Sequence, residues 1–463
     1  MAASSCTLSE FMDFFPENWN MKSFLPGLLG LIFTGFPLVA QTPVPVKSPA
    51  EFWKSVYEGN HVVDIKIVVS RENWQTMFPQ GGRGDYEYVK ANLQIDGKPY
   101  NDSGIRFKGN SSFRFSGNSL KKPLKIDTNR FVSTQKLFGR TKFNLSNSFL
   151  DSAYMKEKLA YELFKKAGLA TPGVGWANVT LTIEGVEDSV PLGLYVLIEQ
   201  VDAKFLKRNL GEKSKDSLLM KPEVRSWQYL GDDPAAYSRF NIKSGETEVG
   251  LVKRFAELLK LIEQGSDEEF SAQIGQRLDL KLLAGYLAVT SLLVNLDSYV
   301  AAPHNYYLVL DKADGKLRLL PWDVNEAFGT FNLGNDPVQL TKWDIRKPYI
   351  TNHKLLTRVF KLDSFNKLYR DTLSSLVNNE FTAAKIQARI AAFEKALLPH
   401  IETMGLQAVL GFHLGIDGDG QGINQAVERR VLAINPFVAQ RLKSVQSQLA
   451  GQSRGQALRG GFF

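Results

Sequence analysis

Two periods of apolar residues divide this chain. From His61 to Lys221 apolar positions mostly alternate with polar ones, the pattern of half-buried strands. Val62–Val69 shows it most plainly, and Tyr88–Ile95, Gly104–Phe107, Trp176–Ile183, Pro191–Glu199 and Leu218–Lys221 follow with turn residues between them. One helical stretch interrupts the strands. Asp151 is placed to cap Ser152–Ala167, apolar at Met155, Leu159 and Leu163, with Gly168 and Pro172 to stop it. Beyond residue 221 the period lengthens to that of helices. Glu248–Glu263 and Ser266–Gly275 are followed by a helix carrying Leu282, Leu283, Tyr286, Leu287, Leu293 and Val294, and later by Lys354–Phe360, Ser364–Val377, Phe381–Leu397 and Phe437–Leu449. Asn435-Pro436 supplies a cap and first turn for the last of these. Between them lie two short strands, Tyr306–Leu310 and Leu317–Pro321, joined by the turn-rich segment 311–316. Residues 222–250 and 330–350 lack a clear period and are expected as loops. The expectation is an α+β fold, strand-rich over 51–220 and helical over 221–450.

The ends read differently. Lys22 followed by an apolar run broken by Pro26 and Pro37 and ending at Ala40 has the form of an export leader, too short and too interrupted to span a bilayer. On that reading residues 1–20 are an upstream extension, 21–40 a signal peptide and 41–50 a proline-rich linker, while 451–463 form a loose tail. The mature chain would be exported, without a membrane span. It would also lose Cys6, the sole cysteine, so neither a disulfide nor a cysteine-ligated metal is available within it. A chain of 463 residues is too long for one ordinary core. Its net charge of +8 is spread without a Lys/Arg block, which argues against a nucleic-acid arm; the excess fits a solvated basic surface best and also suits a nucleotide phosphate or an acidic substrate.

The hairpin is where the chemistry gathers. If Leu310 faces Leu317, then His304 and Asn305 lie beside Trp322 and Asp323, so the Asn305 amide and the Asp323 carboxylate are placed to share a cation. Asp297 stands on the loop that enters the hairpin. Taken singly, each acid also fits a helix cap or a strand-end turn. Separately, Asp417, Asp419 and Glu428 repeat part of the spacing of a calcium loop, so 417–428 reads either as a Ca²⁺ site or as a glycine-rich turn.

Three motifs, Asn295-Leu296-Asp297, His304-Asn305-Tyr306-Tyr307 and Pro321-Trp322-Asp323, resemble the signature of the CotH kinase family, the spore-coat-type atypical protein kinases. Gly104–Ser112, Lys122–Ile126 and Gly193–Gln200 resemble it too, and the likeness runs in order over about residues 60–450. The resemblance implies a divergent two-lobed kinase-like fold that uses ATP with Mg²⁺ or Mn²⁺ to phosphorylate a Ser or Thr of a protein substrate. Asp297 would then serve the acceptor hydroxyl, and Asn305 and Asp323 the metal. Lys108, Asn110 and Ser111 would form the loop over the phosphates. Lys122 or Lys125 would supply the strand lysine, with Lys125 favoured by its depth in the strand. Glu162, or Glu157, would be the helix acid that pairs with it. Glu199 would stand at a hinge near the adenine, and Lys221 would add charge around the nucleotide. Two other functions fit the same residues: a surface or matrix scaffold without catalysis, and transfer of AMP in place of phosphate.

Overall fold

A computed structural model of the chain describes residues 48–79, 86–224, 226–245, 248–302, 304–350, 353–418, 423–424 and 429–460. The expected leader at 21–40 and most of the calcium-like loop at 417–428 lie outside the described residues. Val46–Phe463 form one compact α+β unit.

Its strand-rich half closes on itself. β1 (Val62–Val69), β2 (Val89–Ile95), β3 (Lys98–Phe107), β4 (Leu124–Asp127), β5 (Lys142–Ser146), β6 (Val174–Ile183) and β7 (Glu187–Glu199) form a barrel in the order β1-β2-β3-β4-β5-β7-β6. Neighbours pair antiparallel except β1 with β6, whose parallel register Val62↔Trp176 to Val69↔Ile183 seals the cylinder. Alternation then sorts the side chains. Phe107, Leu124, Ile126, Phe143, Leu145, Val179, Tyr195 and Leu197 belong to the barrel core. Trp176, Leu194, Val196 and Ile198 point outward into a second, larger core built mainly from the helices. Gly193 lets β7 come close to that body, since a Cβ there would lie 2.6 Å from the Met404 sulfur.

A second sheet lies within the helical part, in the order β11-β10-β8-β9, with β8 Leu218–Met220, β9 Ile242–Ser244, β10 Tyr306–Leu310 and β11 Leu317–Pro321. Several helices begin where their caps direct. Ser266 forms a capping box with Glu269 ahead of Asp267–Arg277, and Asp279 caps Leu280–Leu292.

Four expectations need correction, one of them the cap of the last helix: it starts at Ile434 behind Ala433, so Asn435 lies inside its first turn and not ahead of it. The helix foreseen over 152–167 is Lys156–Lys166. Tyr154 adopts φ +58, which no α-helix tolerates, and Asp151 instead accepts the Lys156 N–H at 2.8 Å across the turn. The linker expected over 41–50 gives way at Ser48, which caps a helix over Pro49–Tyr57. At the other end, 451–460 is tied down: Asp344 N–H donates to the Gln456 carbonyl, Gln456 N–H to that of Lys342, and Arg459 N–H to the Asn335 side chain. Arg441 anchors the same region. Fully buried, it donates to the carbonyls of Thr341, Trp343 and Ser291, fastening the last helix, Ile434–Leu449, to the end of Leu280–Leu292.

Candidate functional site

The hairpin register is the one its alternation called for, running from Leu310↔Leu317 to Tyr306↔Pro321. One step further, Trp322 N–H donates to the Asn305 carbonyl at 3.3 Å, so Asn305 and Trp322 are cross-strand neighbours at the open end. The backbone on either side is unusual. Val294 at φ +46, Asn305 at φ +60, Asp323 at φ +54 and Phe328 at φ +59 are all left-handed. Each such non-glycine residue costs on the order of 1–3 kcal/mol, most clearly the β-branched Val294, and strain of this kind concentrates at working sites.

Asp297 is buried and held from two sides. His304 Nε2 lies 2.7 Å from its Oδ1, and Asn305 Nδ2 donates to its Oδ2 at 2.7 Å and to its backbone carbonyl at 3.2 Å. Both partners of that amide nitrogen are acceptors, which sets the amide orientation and turns the Asn305 carbonyl oxygen away from Asp297. Burial pulls the His304 pKa down. The Asp297 hydrogen bond and the charges of Asp297, Asp323 and Glu326 outweigh it and leave the imidazole raised above the ordinary histidine value. The role of His304 was not foreseen, although its position directly before Asn305 was on view.

Asp323 is placed by its backbone. Its N–H donates to the hydroxyl of Tyr161 at 3.0 Å, on the helix Lys156–Lys166. Glu157 lies one turn earlier on that helix, 2 % exposed, with Oε1 lacking any hydrogen-bond partner. Its carboxyl is pushed up to about 8, first by burial and then by the Asp323 charge, with Lys108 easing and Asp151 adding to the effect. The helix itself is seated by Trp176 behind it, whose indole donates to the Tyr154 carbonyl at 2.7 Å and meets the Phe393 ring edge-on at 4.9 Å.

Three of the expected lysines reach the same region. Lys108, just past β3, sets its ammonium 5.8 Å from the centre of the Trp322 ring. Lys125 stands in the row Arg106–Lys125–Asn144–Ile198 on the outer face of the barrel, the face whose Ile198 enters the helical core. Burial, reinforced by Arg106, Lys108 and Lys142, lowers the Lys125 pKa to about 7. Lys221 at the end of β8 is lowered by burial and by Lys108, and partly restored by Asp323. Lys108, Lys125, Lys221, Glu157 and Asp323 therefore act on one another as a single electrostatic cluster.

The remaining candidates divide. Asn110 and Ser111 open the short helix Ser111–Phe115, and the Asn110 side chain makes no cap bond. Gly109 before them, at φ +76, leaves room for Ser112 Oγ, which would sit 2.3 Å from a Cβ there. Lys122 is not at the cluster: it is buried, donates to the Gly117 carbonyl and lies over the Phe113 ring at 5.0 Å. Glu162 is also displaced, because Arg389 grips both its oxygens, at 2.6 and 2.9 Å, on another face of the helix. Glu199 is spoken for as well. Arg140 and Arg208 both pair with one carboxylate oxygen, and Gly173 N–H donates to the other at 2.9 Å. Its carboxylate is a tie within the fold.

Among the described residues no group of three or more His, Cys, Asp or Glu side chains is arranged to hold a metal, and no helix is long and apolar enough to cross a membrane. The chain is 22% identical over 288 residues to the inner spore coat protein H of Bacillus subtilis (strain 168), a stretch covering 58% of this chain and 72% of that relative. The sequence profile described as CotH kinase protein matches residues 105–445, from β3 through the hairpin and into the last helix. With well over half its length inside that match, this chain belongs to the CotH kinase family.

Proposed function

We propose that this chain is an exported, metal-dependent protein kinase that transfers the γ-phosphoryl group of ATP to a Ser or Thr hydroxyl of a protein. The observation that carries this reading is the Asp297 carboxylate, gripped at 2.7 Å by both His304 and Asn305 beside the hairpin that ends in Asp323. A carboxylate so oriented accepts the proton of the acceptor hydroxyl while that oxygen bonds to the γ-phosphorus. The bond from that phosphorus to the bridging oxygen breaks, and ADP leaves with the electron pair. Lys108, Lys125 and Lys221 supply positive charge for the phosphates, with catalysis resting on position and electrostatics. The side-chain oxygens of Asn305 and Asp323 are hard donors of the kind Mg²⁺ or Mn²⁺ takes, so the donor set fits such an ion. When bound, the cation would neutralise phosphate oxygens. On this reading the barrel and the helical body correspond to the two lobes of a divergent kinase. Export rests on the leader-like run at 21–40 and on the place in a spore coat that the relative's name gives it.

The test is transfer of labelled phosphate from ATP to acceptor protein with Mg²⁺ or Mn²⁺. Asp323→Ala is expected to lose metal-dependent ATP binding. Asp297→Asn is expected to keep that binding and lose transfer by about 10²-fold or more, the scale of a positioned acid or base. Unchanged transfer in Asp297→Asn would overturn the assignment. The name of the relative, a coat constituent, favours one second reading, a surface scaffold. Absence of any metal-dependent nucleotide binding would establish that reading, and release of pyrophosphate in place of ADP would point to AMP transfer instead.

A further inference from the structure

We infer that Glu157 is a ligand of the divalent cation, facing it from the helix Lys156–Lys166 opposite Asp323. The inference rests on the kinase reading above and adds a residue to its metal site. Its basis is geometric. Asp323 N–H is bonded to the Tyr161 hydroxyl, and Tyr161 follows Glu157 by four residues, so both project from one face of the helix. Glu157 is therefore on the face against which Asp323 is seated. It is 2 % exposed, and its Oε1 has no hydrogen-bond donor. A buried carboxylate oxygen without a partner is costly, and such atoms are normally satisfied by a donor, water or an ion.

Two explanations compete for this carboxylate. Lys108 offsets part of the charge on Glu157, and a lysine counter-ion would make Glu157 a structural acid. Yet among the described residues no ammonium or guanidinium stands within ion-pair distance of it, whereas Glu162, five residues on, has Arg389 at 2.6 Å and Lys158 at 3.6 Å. The charge that acts on Glu157 most strongly is Asp323, of the same sign. A buried carboxylate facing a half-buried one of the same sign is relieved by a cation between them, with phosphate oxygens and water completing the coordination.

The two explanations predict opposite behaviour without metal. A Glu157 held by Lys108 stabilises the free protein, while a Glu157 repelled by Asp323 destabilises it. The experiment takes the purified full chain, Glu157→Gln, Asp323→Asn and, as a control on the outer face of the same helix, Glu162→Gln. Mn²⁺ affinity is read from the electron paramagnetic resonance signal of the free ion, with Mn²⁺ alone and with Mn²⁺ plus ADP. Melting is followed with and without Mn²⁺. The expected result is that Glu157→Gln weakens Mn²⁺ binding by about 100-fold or more, at or beyond the upper end of what loss of a mere supporting residue causes. It should also melt no lower than the parent without metal and lose the rise in melting temperature that Mn²⁺ gives the parent. Glu162→Gln should bind Mn²⁺ as the parent does. Parent-like Mn²⁺ affinity in Glu157→Gln, with affinity lost in Asp323→Asn, would overturn the inference and leave the site of Asn305 and Asp323 standing. A fall in metal-free melting temperature with Mn²⁺ affinity intact would assign Glu157 to Lys108. Silence of the parent toward Mn²⁺, with and without ADP, would remove the kinase reading and this inference together.

Discussion

His304 offers the most direct probe of how Asp297 is held. His304→Ala removes one of the two donors on the carboxylate and leaves Asn305 in place on the other oxygen. Hydrogen bonds to charged groups contribute about 1.5–3 kcal/mol. The His304 side chain is 45 % exposed, so solvent competes and the lower end applies. At about 1.4 kcal/mol per tenfold in rate, that gives roughly a 10-fold loss of transfer. Loosening the carboxylate adds to it, since a misplacement of about 1 Å is enough for another order of magnitude. Transfer is therefore expected to fall about 10- to 100-fold at saturating ATP. ATP and Mn²⁺ affinities should stay at the parent's level, because Lys108, Lys125, Lys221, Asn305 and Asp323 are untouched. His304→Gln, which keeps an N–H donor of similar reach, should recover part of the loss. Phosphate transfer under saturating ATP, with affinity measured separately, distinguishes these outcomes. A parent-like rate in His304→Ala would refute the claim that the imidazole orients Asp297, and an equal loss in affinity would place His304 on the nucleotide instead.

Gly109→Ala forces a side chain onto a backbone at φ +76 and against Ser112 Oγ, so ATP affinity should weaken while melting changes little; unchanged affinity would take this loop away from the phosphates. Arg441→Met strips donors from three buried carbonyls and should destabilise by about 3–5 kcal/mol in denaturant unfolding, and a loss below about 1 kcal/mol would show that the anchor is dispensable. Lys125 supplies the pH dependence: it loses its proton near 7 when folded and near its ordinary 10.5 when unfolded, so the unfolded chain binds more protons between those values and stability should rise with pH across that window. ATP affinity should fall as pH climbs past about 7, both trends should flatten in Lys125→Met, and an unaltered pH profile in that variant would remove the lysine from the nucleotide site.

What was legible in the sequence was local. The six-residue connection 311–316 and the flanking alternation sufficed for the hairpin register, and the register alone set Asn305 beside Trp322. Barrel closure was not legible, because it depends on β1 pairing in parallel with β6 more than a hundred residues later, and no short-range pattern records that. The acids show the same division. Glu157 and Glu162 lie on one short helix at positions that point to different faces, and both look like solvated helix acids. Arg389, 227 residues away, claims Glu162, and only the folded chain shows it. Glu199 reads as a hinge acid at a strand end until Arg140, just before the neighbouring β5, pairs with it. The left-handed Tyr154 moved the helix start from Ser152 to Lys156, and no residue type announced it.

The cluster of Lys108, Lys125, Lys221, Glu157 and Asp323 carries unpaired charge of both signs. Burial and repulsion from Lys108 hold Lys125 and Lys221 below the ordinary lysine value, while burial and Asp323 hold Glu157 above the ordinary carboxylate value. Direct pairing would resolve both, yet among the described residues neither Lys125 nor Lys221 stands in an ion pair, and Glu157 Oε1 has no donor. Elsewhere in the same protein several charges are closely paired, as in Glu199 with Arg140 and Arg208, Arg318 with Asp311 and Asp314, and Arg358 with Asp267, while the buried Lys122 and Arg441 donate to backbone carbonyls. Charges of both signs left unpaired side by side are the state of a site kept open for a ligand that brings both signs. A metal-bound triphosphate does so, with oxygens for the lysines and a cation for the acids. A scaffold that never binds nucleotide would have no reason to keep these charges apart, and conservative changes that paired them internally would stabilise it. The stability of the nucleotide-free protein therefore bears on function: neutralising Glu157 or Lys125 is expected to leave it no less stable, and a clear loss of stability in both would favour the scaffold.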